Sequence, residues 1–154
     1  MFAFAMATAI PAFAAPAVGG ASAQTINLAD FAILKQSAQW CALRAKLKRW
    51  KDLPDDWDGD DGVAPTHQTI ETCYAFLEEL ENVEAPLPTA TVAGDGEITY
   101  EWARDAGFAS ASFTADGDMI LFLREAGVDT PLRMDEQFDL DAMSPFLERI
   151  GAFA

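Results

Sequence analysis

Apolar residues recur every three or four positions in the first half of the chain, which is the pattern of helices with one buried face. From Leu28 to about Lys51 the pattern predicts a first helix, whose inward stripe comprises Ile33, Ser37, Trp40, Leu43, Leu47 and Trp50. Leu53-Pro54 ends this helix, because a residue before proline avoids the α conformation. Thr66 is a favourable N-cap for a second helix, whose predicted buried stripe comprises Ile70, Cys73, Leu77 and Leu80.

The period changes to two from Thr89 onward, which predicts extended strands. Short sequences typical of tight turns separate the segments, and they are Gly94-Asp95-Gly96, Asp105-Ala106-Gly107 and Asp116-Gly117. Four consecutive strands are therefore predicted, over residues 89–93, 97–103, 108–115 and 118–124. In the second strand Ile98, Tyr100 and Trp102 share one face, whereas the third strand gives no firm facing.

The end of the chain predicts a helix that covers the sheet. Its apolar positions are Leu140, Met143, Phe146, Leu147, Ile150 and Phe153. A sheet with one apolar face is stable only when another element covers that face. The predicted fold class is therefore α+β, with two N-terminal helices, a four-stranded antiparallel β-meander and a C-terminal helix packed on one face of the sheet, in a single domain over residues 28–154.

The first 27 residues form an Ala-rich apolar segment, and the first charged residue of the chain is Asp30. The apolar run over residues 2–18, followed by Ala21-Ser22-Ala23, is similar to a secretory signal that lacks its positive start. Pro11 and Pro16 disfavour a membrane-spanning helix. Two alternatives remain: a tail retained by a cytoplasmic protein, which we favour, or a signal peptide cleaved after Ala23 on the way to the periplasm or the exterior.

Charge is distributed unevenly along the chain, whose formal net charge is −15. Residues 28–52 carry six lysines and arginines against two aspartates, whereas residues 53–154 carry four arginines against twenty-three aspartates and glutamates. An acidic surface repels nucleic-acid phosphates, so direct nucleic-acid binding is not expected. Either the charge serves solubility alone, or an acidic face binds a basic protein.

Four short motifs occur between Ala45 and Arg124: Trp57-Asp58-Gly59, then Ala64-Pro65-Thr66 at a helix start, then Gly94-Asp95-Gly96 and Glu101-Trp102. They resemble the motifs of a family of small, functionally uncharacterised bacterial proteins. The chain departs from that pattern at His67, where the family tends to have proline, and in its long N-terminal segment. The resemblance implies an architecture and no activity.

The Asp-rich loop between the two helices begins like a calcium-binding loop. Asp56, Asp58 and Asp60 occupy the first, third and fifth positions of the EF-hand pattern, and they are the candidate metal ligands. The match then fails, because Asp61 stands where the pattern requires glycine and His67 where it requires glutamate. The alternative is a solvated acidic loop with Trp57 turned inward, which joins the helices by sharp turns.

Motifs for catalysis are missing from the sequence. His67 is the single histidine, so a Ser/His/Asp or Cys/His arrangement has to include it, and the dipole at a helix N-terminus disfavours its protonated form. Common nucleotide-binding, hydrolase and zinc-protease motifs do not occur. Cys41 and Cys73 are predicted to be buried, with a disulfide between them as the alternative in an exported protein. We therefore predict a protein without enzymatic activity and without a cofactor.

The segment Leu43–Lys51 combines basic and aromatic residues on a helix. It can contact nucleic acid, an anionic membrane or an acidic protein, or the aspartates that follow can neutralise its charges. We hypothesise a small bacterial accessory protein of the antitoxin, immunity or anti-defence kind that binds a basic protein partner. Its candidate partner-binding residues are Arg44, Lys48, Lys51, Trp57, Asp58, Asp60, Asp61, Glu78 and Glu81. The alternative is an exported domain that binds Ca²⁺ or a small ligand through the Asp-rich loop.

Overall fold

A computed structural model describes residues 28–105, 107–128, 132–137 and 139–153. The elements in chain order are α1 (Leu28–Trp50), α2 (His67–Asn82), β1 (Thr89–Val92), β2 (Ile98–Arg104), β3 (Gly107–Phe113), β4 (Asp118–Glu125), β5 (Leu132–Gln137) and α3 (Leu140–Gly151). The strands form one antiparallel sheet in the order β1-β2-β3-β4-β5. The predicted α+β class is confirmed. The two alternatives for residues 1–27, a retained tail or a signal cleaved after Ala23, lie outside the described residues.

The sheet has one strand more than the sequence predicts. β5 pairs with β4, placing Leu132 opposite Leu123 and Met134 opposite Leu121. Leu132 and Met134 are half-buried, and the residues around them in the strand are polar or charged. Two apolar positions are too few to stand out as an alternating pattern, and an edge strand needs little apolar character. The prediction of a four-stranded meander is therefore wrong by this edge strand.

The inner face of the sheet forms the core together with α2 and α3. Its side chains are each at most 1% exposed, and they are Ile98, Tyr100, Trp102, Ala109, Ala111, Phe113, Met119, Leu121 and Leu123. Phe76 of α2 is central, with its ring centroid 5.2 Å from that of Phe113, 6.1 Å from that of Tyr100 and 6.2 Å from that of Phe146 in α3. α2 and α3 therefore cover the same face of the sheet, as predicted.

The second helix agrees with its sequence signals. Thr66 has extended backbone angles, and its hydroxyl accepts a hydrogen bond from the backbone N–H of Thr69 at 3.1 Å. This is the geometry of an N-cap. The four predicted stripe residues are buried, and they are Ile70, Cys73, Leu77 and Leu80. Within the described residues, no helix combines the length and the apolar character that crossing a bilayer requires.

Over residues 33–50, α1 packs on the core from Trp40 onward. Its buried residues are Trp40, Leu43, Leu47 and Trp50. Ile33 is 65% exposed, and Ser37 and Cys41 are also exposed, so the predictions that they face the core are wrong. Helical periodicity reveals which side of a helix is apolar, but the length that is buried, which excludes Ile33 and Ser37, depends on how far the neighbouring elements extend. Cys41 lies within the packed length but on another side of the helix.

Candidate functional site

The meander places its turns at two opposite ends of the sheet. The β1–β2 and β3–β4 turns lie at one end, and the β2–β3 and β4–β5 connections lie at the other. The loop between α1 and α2 joins the first end, because Val63 N donates to Gly94 O at 2.7 Å. Thr69 Oγ1, in the first turn of α2, donates to Thr114 O at 3.1 Å, which brings the start of α2 to the same end.

Carboxylates concentrate at this end of the molecule. The loop and the two turns contribute nine of them, and we call the set the acidic end: Asp55, Asp56, Asp58, Asp60, Asp61, Asp95, Glu97, Asp116 and Asp118. All except the half-buried Glu97 are exposed. The sequence has no lysine or arginine between Leu53 and Ala103. The fold therefore brings acidic residues from three separate segments together on one surface.

Hydrogen bonds to its own aspartates hold the Asp-rich loop in a defined shape. Asp58 Oδ1 accepts from the backbone N–H of Gly62 at 2.8 Å and from that of Asp60 at 3.0 Å. Asp56 Oδ1 accepts from Asp61 N at 3.0 Å, and Asp56 N donates to Gly62 O at 2.9 Å. These contacts satisfy backbone N–H groups that no helix or strand engages.

Trp57 closes the same loop from its other side. Its indole Nε1 donates to Val63 O at 3.2 Å, and the ring is half-buried, as the sequence predicts. Val63 N is the group that bonds to the β1–β2 turn. Trp57 therefore helps to fix the loop against the sheet.

Two glycines allow the Asp58 carboxylate to lie between the loop and the β1–β2 turn. A Cβ atom added to Gly94 would come within 2.6 Å of Asp58 Oδ2, and one added to Gly62 would also clash with this carboxylate. The motif residues Trp57-Asp58-Gly59 and Gly94-Asp95-Gly96 therefore meet at one junction. The contacts at this junction give these motif residues a structural role.

Two of the three candidate calcium ligands in this loop are engaged by the backbone. Asp56 and Asp58 each accept backbone N–H groups through Oδ1, and Asp60 is exposed. Among the described residues there is no group of three or more His, Cys, Asp or Glu side chains that could hold a metal ion.

We expect Asp58→Ala to lower the free energy of unfolding by about 1–2 kcal/mol, because two backbone N–H groups lose a charged acceptor. Asp60→Ala is the matched control, since Asp60 is an exposed residue of the same loop, and it should change the value by less than about 0.5 kcal/mol. Urea denaturation of both variants measures the difference. Equal stabilities of the two variants would show that Asp58 does not hold the loop.

The other candidate partner-binding residues divide into two groups. Arg44 and Glu81 form an ion pair at 3.0 Å that joins α1 to α2, and the Tyr74 hydroxyl donates to Arg44 O at 3.0 Å. Lys48, Lys51 and Glu78 are exposed. The ion pairs between described residues are Arg44–Glu81 and Arg149–Glu125, so neither of them joins the basic end of α1 to the Asp-rich loop.

The two groups considered for catalysis, His67 and Cys73, differ in their exposure to solvent. His67 is exposed, with Nδ1 3.4 Å from Glu71 Oε2 in the same helix. Cys73 is buried, and burial raises the pKa of its thiol far above the ordinary value. Burial likewise raises the pKa of Tyr100, whose hydroxyl lies 3.4 Å from Cys73 O. A thiol that remains protonated is a poor nucleophile.

The sequence alone does not predict that Asp95 and Asp116 belong to the acidic end, and it does not predict the packing role of Lys46. Asp95 and Asp116 were recognised only as turn residues, although Asp–Gly turns at alternate connections of a meander necessarily share one end of the sheet. Lys46 links α1 to β1, because its Nζ donates to Ala90 O at 2.5 Å. The same Nζ lies 4.9 Å from the Trp50 ring centroid. The signal in the sequence that could have indicated this role is the position of Lys46 directly before Leu47 of the buried stripe of α1.

Comparison with protein-family models, with curated proteins and with solved structures finds no match to the chain.

Proposed function

We propose that this protein is a small bacterial accessory module that binds a basic protein partner through its acidic end, in the manner of an antitoxin, immunity or anti-defence protein. The observation that carries the proposal is the gathering of nine carboxylates from three segments at one end of the sheet. Complementary charge accelerates association and selects partners of the opposite sign.

The shape of the acidic end favours binding over a role in solubility alone. Charges that serve only solubility need no fixed arrangement, whereas here hydrogen bonds from Asp56 and Asp58 hold the loop. The exposed carboxylates of Asp55, Asp60 and Asp61 are thereby carried on an ordered backbone. A surface that is already ordered loses less conformational entropy when a partner binds.

The first test is a pull-down with the full-length protein as bait at about 50 mM and about 300 mM salt, because salt screens contacts between exposed charges. We expect one basic protein to be retained at the lower salt concentration and released at the higher one. A specific 1:1 complex whose affinity is indifferent to salt would contradict binding through the acidic end.

The second test locates the surface with variants of equal charge. Asp55→Asn, Asp60→Asn and Asp61→Asn together remove three exposed carboxylates of the acidic end. The control combines Glu84→Gln, Asp105→Asn and Glu148→Gln, which are exposed carboxylates elsewhere on the molecule. At about 0.5–1 kcal/mol for each surface pair, we expect the first variant to bind about tenfold or more weakly and the control within about twofold. Equal losses would assign the effect to net charge alone.

A further inference from the structure

The part of α1 that precedes Trp40 carries apolar side chains that project into solvent. Every side chain over residues 33–39 is exposed, and Ile33 and Leu34 are 65% and 58% exposed. They are the two most exposed large apolar side chains in the described part of the chain. A helix in water normally turns its apolar side chains toward another element, so this part of α1 is an unpartnered surface.

A groove runs along this part of α1, where the helix passes the C-terminal end of α2. We call it the α1 groove; its volume is about 390 Å³, and its lining includes Ile33, Ser37, Trp40, Cys41, Arg44 and Glu81. Ile33 and Cys41 are exposed apolar side chains, whereas Arg44 and Glu81 neutralise each other as an ion pair at 3.0 Å. The groove therefore offers apolar contacts beside a charge pair that is already formed.

Charges of both signs border the α1 groove. A neighbouring depression shares Gln36, Trp40 and Glu81 with it and adds the carboxylate of Glu84. Lys35 is exposed on the same turns of α1. This mixture selects neither an acidic nor a basic occupant. An uncharged apolar segment matches the surface best, because it leaves no charge buried without a partner.

The chain itself supplies such a segment directly before α1. Residues 1–27 contain no charged residue, and no stretch of comparable length elsewhere in the sequence lacks charge. The helix that the groove follows begins at Leu28, so this segment is attached at one end of the groove. The large apolar side chains of the run over residues 2–18 are Phe2, Phe4, Met6, Ile10, Phe13 and Val18.

The linker over residues 19–27 is long enough to return the apolar run to the groove. It begins with Gly19-Gly20, and glycine tolerates the backbone angles of a chain reversal. A linker of nine residues spans up to about 30 Å when extended. From Leu28 to Arg44 the helix rises about 24 Å, at about 1.5 Å per residue. The run can therefore reach the whole groove, and its attachment gives it an effective concentration on the order of millimolar there.

We propose that the apolar run over residues 2–18 folds back on α1 and packs in the α1 groove, where its side chains cover Ile33 and Cys41. The proposal applies to the protein that retains its N-terminal segment. It goes beyond the proposed function, since it concerns a different surface and gives a role to a part of the chain that the acidic end does not use. Packing of the run removes an exposed apolar surface from water.

A second copy of the chain and an anionic membrane are weaker occupants of the same groove. A stable dimer buries about 800 Å² on each partner, and two copies that each carry −15 repel one another. An anionic bilayer repels a protein of this net charge as well. The attached run is uncharged and needs no encounter with another molecule.

The reactivity of Cys41 toward N-ethylmaleimide, an uncharged thiol reagent, tests the proposal in the full-length protein. Cys41 lines the groove, so a segment packed there protects its thiol. Cys73 is the only other cysteine of the sequence; it is buried, and burial raises the pKa of its thiol, so it reacts slowly. The labelling rate therefore reports whether the groove is covered.

Matched variants of the segment decide the result. Ile10→Asp with Phe13→Asp places two carboxylates in the apolar run, whereas Gln24→Asp with Thr25→Asp adds equal charge outside the run. We expect the first variant to label at least about tenfold faster than the unaltered protein and the second within about twofold, because burying unpaired carboxylates is unfavourable. Ile33→Asp places a carboxylate in the groove itself and should also accelerate labelling.

Several outcomes would overturn the proposal. One is equal labelling of the unaltered protein and the variant with carboxylates in the apolar run. Others are protection of Cys41 that increases with protein concentration, which indicates a second copy, or protection that appears only with phosphatidylglycerol vesicles, which indicates a membrane. A mature N-terminus at Gln24 in the native host also contradicts it. The variant that lacks three carboxylates of the acidic end should label like the unaltered protein, so failure at the α1 groove is distinguishable from failure at the acidic end.

Discussion

Replacing Phe76 by alanine should destabilise the protein by about 3–5 kcal/mol, which is a large part of the stability of a domain of this size. Phe76 is fully buried, and its ring contacts aromatic rings from both the sheet and α3. Truncation removes the apolar contacts of a whole ring and leaves a cavity where α2, α3 and the sheet meet. The size of the loss depends on how far these elements can close the cavity.

Phe122→Ala is the matched control for this prediction, because it removes the same side chain from the outer face of the sheet. Phe122 is half-buried, so its truncation leaves no internal cavity and should cost less than about 1 kcal/mol. Urea denaturation followed by tryptophan fluorescence measures both variants. Similar losses for Phe76→Ala and Phe122→Ala would show that the aromatic cluster is not the centre of the core.

The second large effect is a loss of stability at alkaline pH. Burial raises the pKa of Cys73 in the folded protein, so the native thiol remains protonated where the unfolded one ionises. Its contribution to stability is fully present below about pH 8.5, the ordinary thiol pKa, and is lost as the pH rises above that value. The expected slope is about 1.4 kcal/mol per pH unit. Tyr100, whose pKa burial also raises, adds a similar slope above about pH 10.

Denaturation midpoints measured between about pH 7.5 and pH 10.5 test this expectation, with two cysteine variants for comparison. Cys73→Ala should be less stable at neutral pH, because it leaves a small cavity, but its stability should fall less steeply between about pH 8.5 and pH 10. Cys41→Ala removes an exposed thiol and should retain the slope of the unaltered protein. An unchanged slope in Cys73→Ala would show that its thiol is not the group that titrates.

Local signals were sufficient to predict most of the elements. The cap at Thr66, the stripe that includes Cys73 in α2 and the turn sequences that separate the first four strands all act over a few residues. Such short-range signals specify the local backbone geometry and which side of a helix or strand is apolar. Both are properties of neighbouring residues in the chain, so the sequence alone determined them.

Features that depend on distant parts of the chain were decided only by the tertiary structure. The periodicity of α1 continues through Ile33 and Ser37, but over residues 33–50 the buried stripe begins only at Trp40, because neighbouring elements set the buried length. β5 exists because β4 offers it an edge, and its own alternation is too short to predict it.

The candidate surfaces show the same division between what the sequence determines and what only the tertiary structure decides. Composition determined that residues 53–154 are strongly acidic and contain few arginines. Only the meander placed the acidic residues of three segments at one end of the sheet and the arginines at the other. The physical reason is that net charge adds up regardless of position, whereas a binding surface depends on which residues the long-range strand pairing brings together.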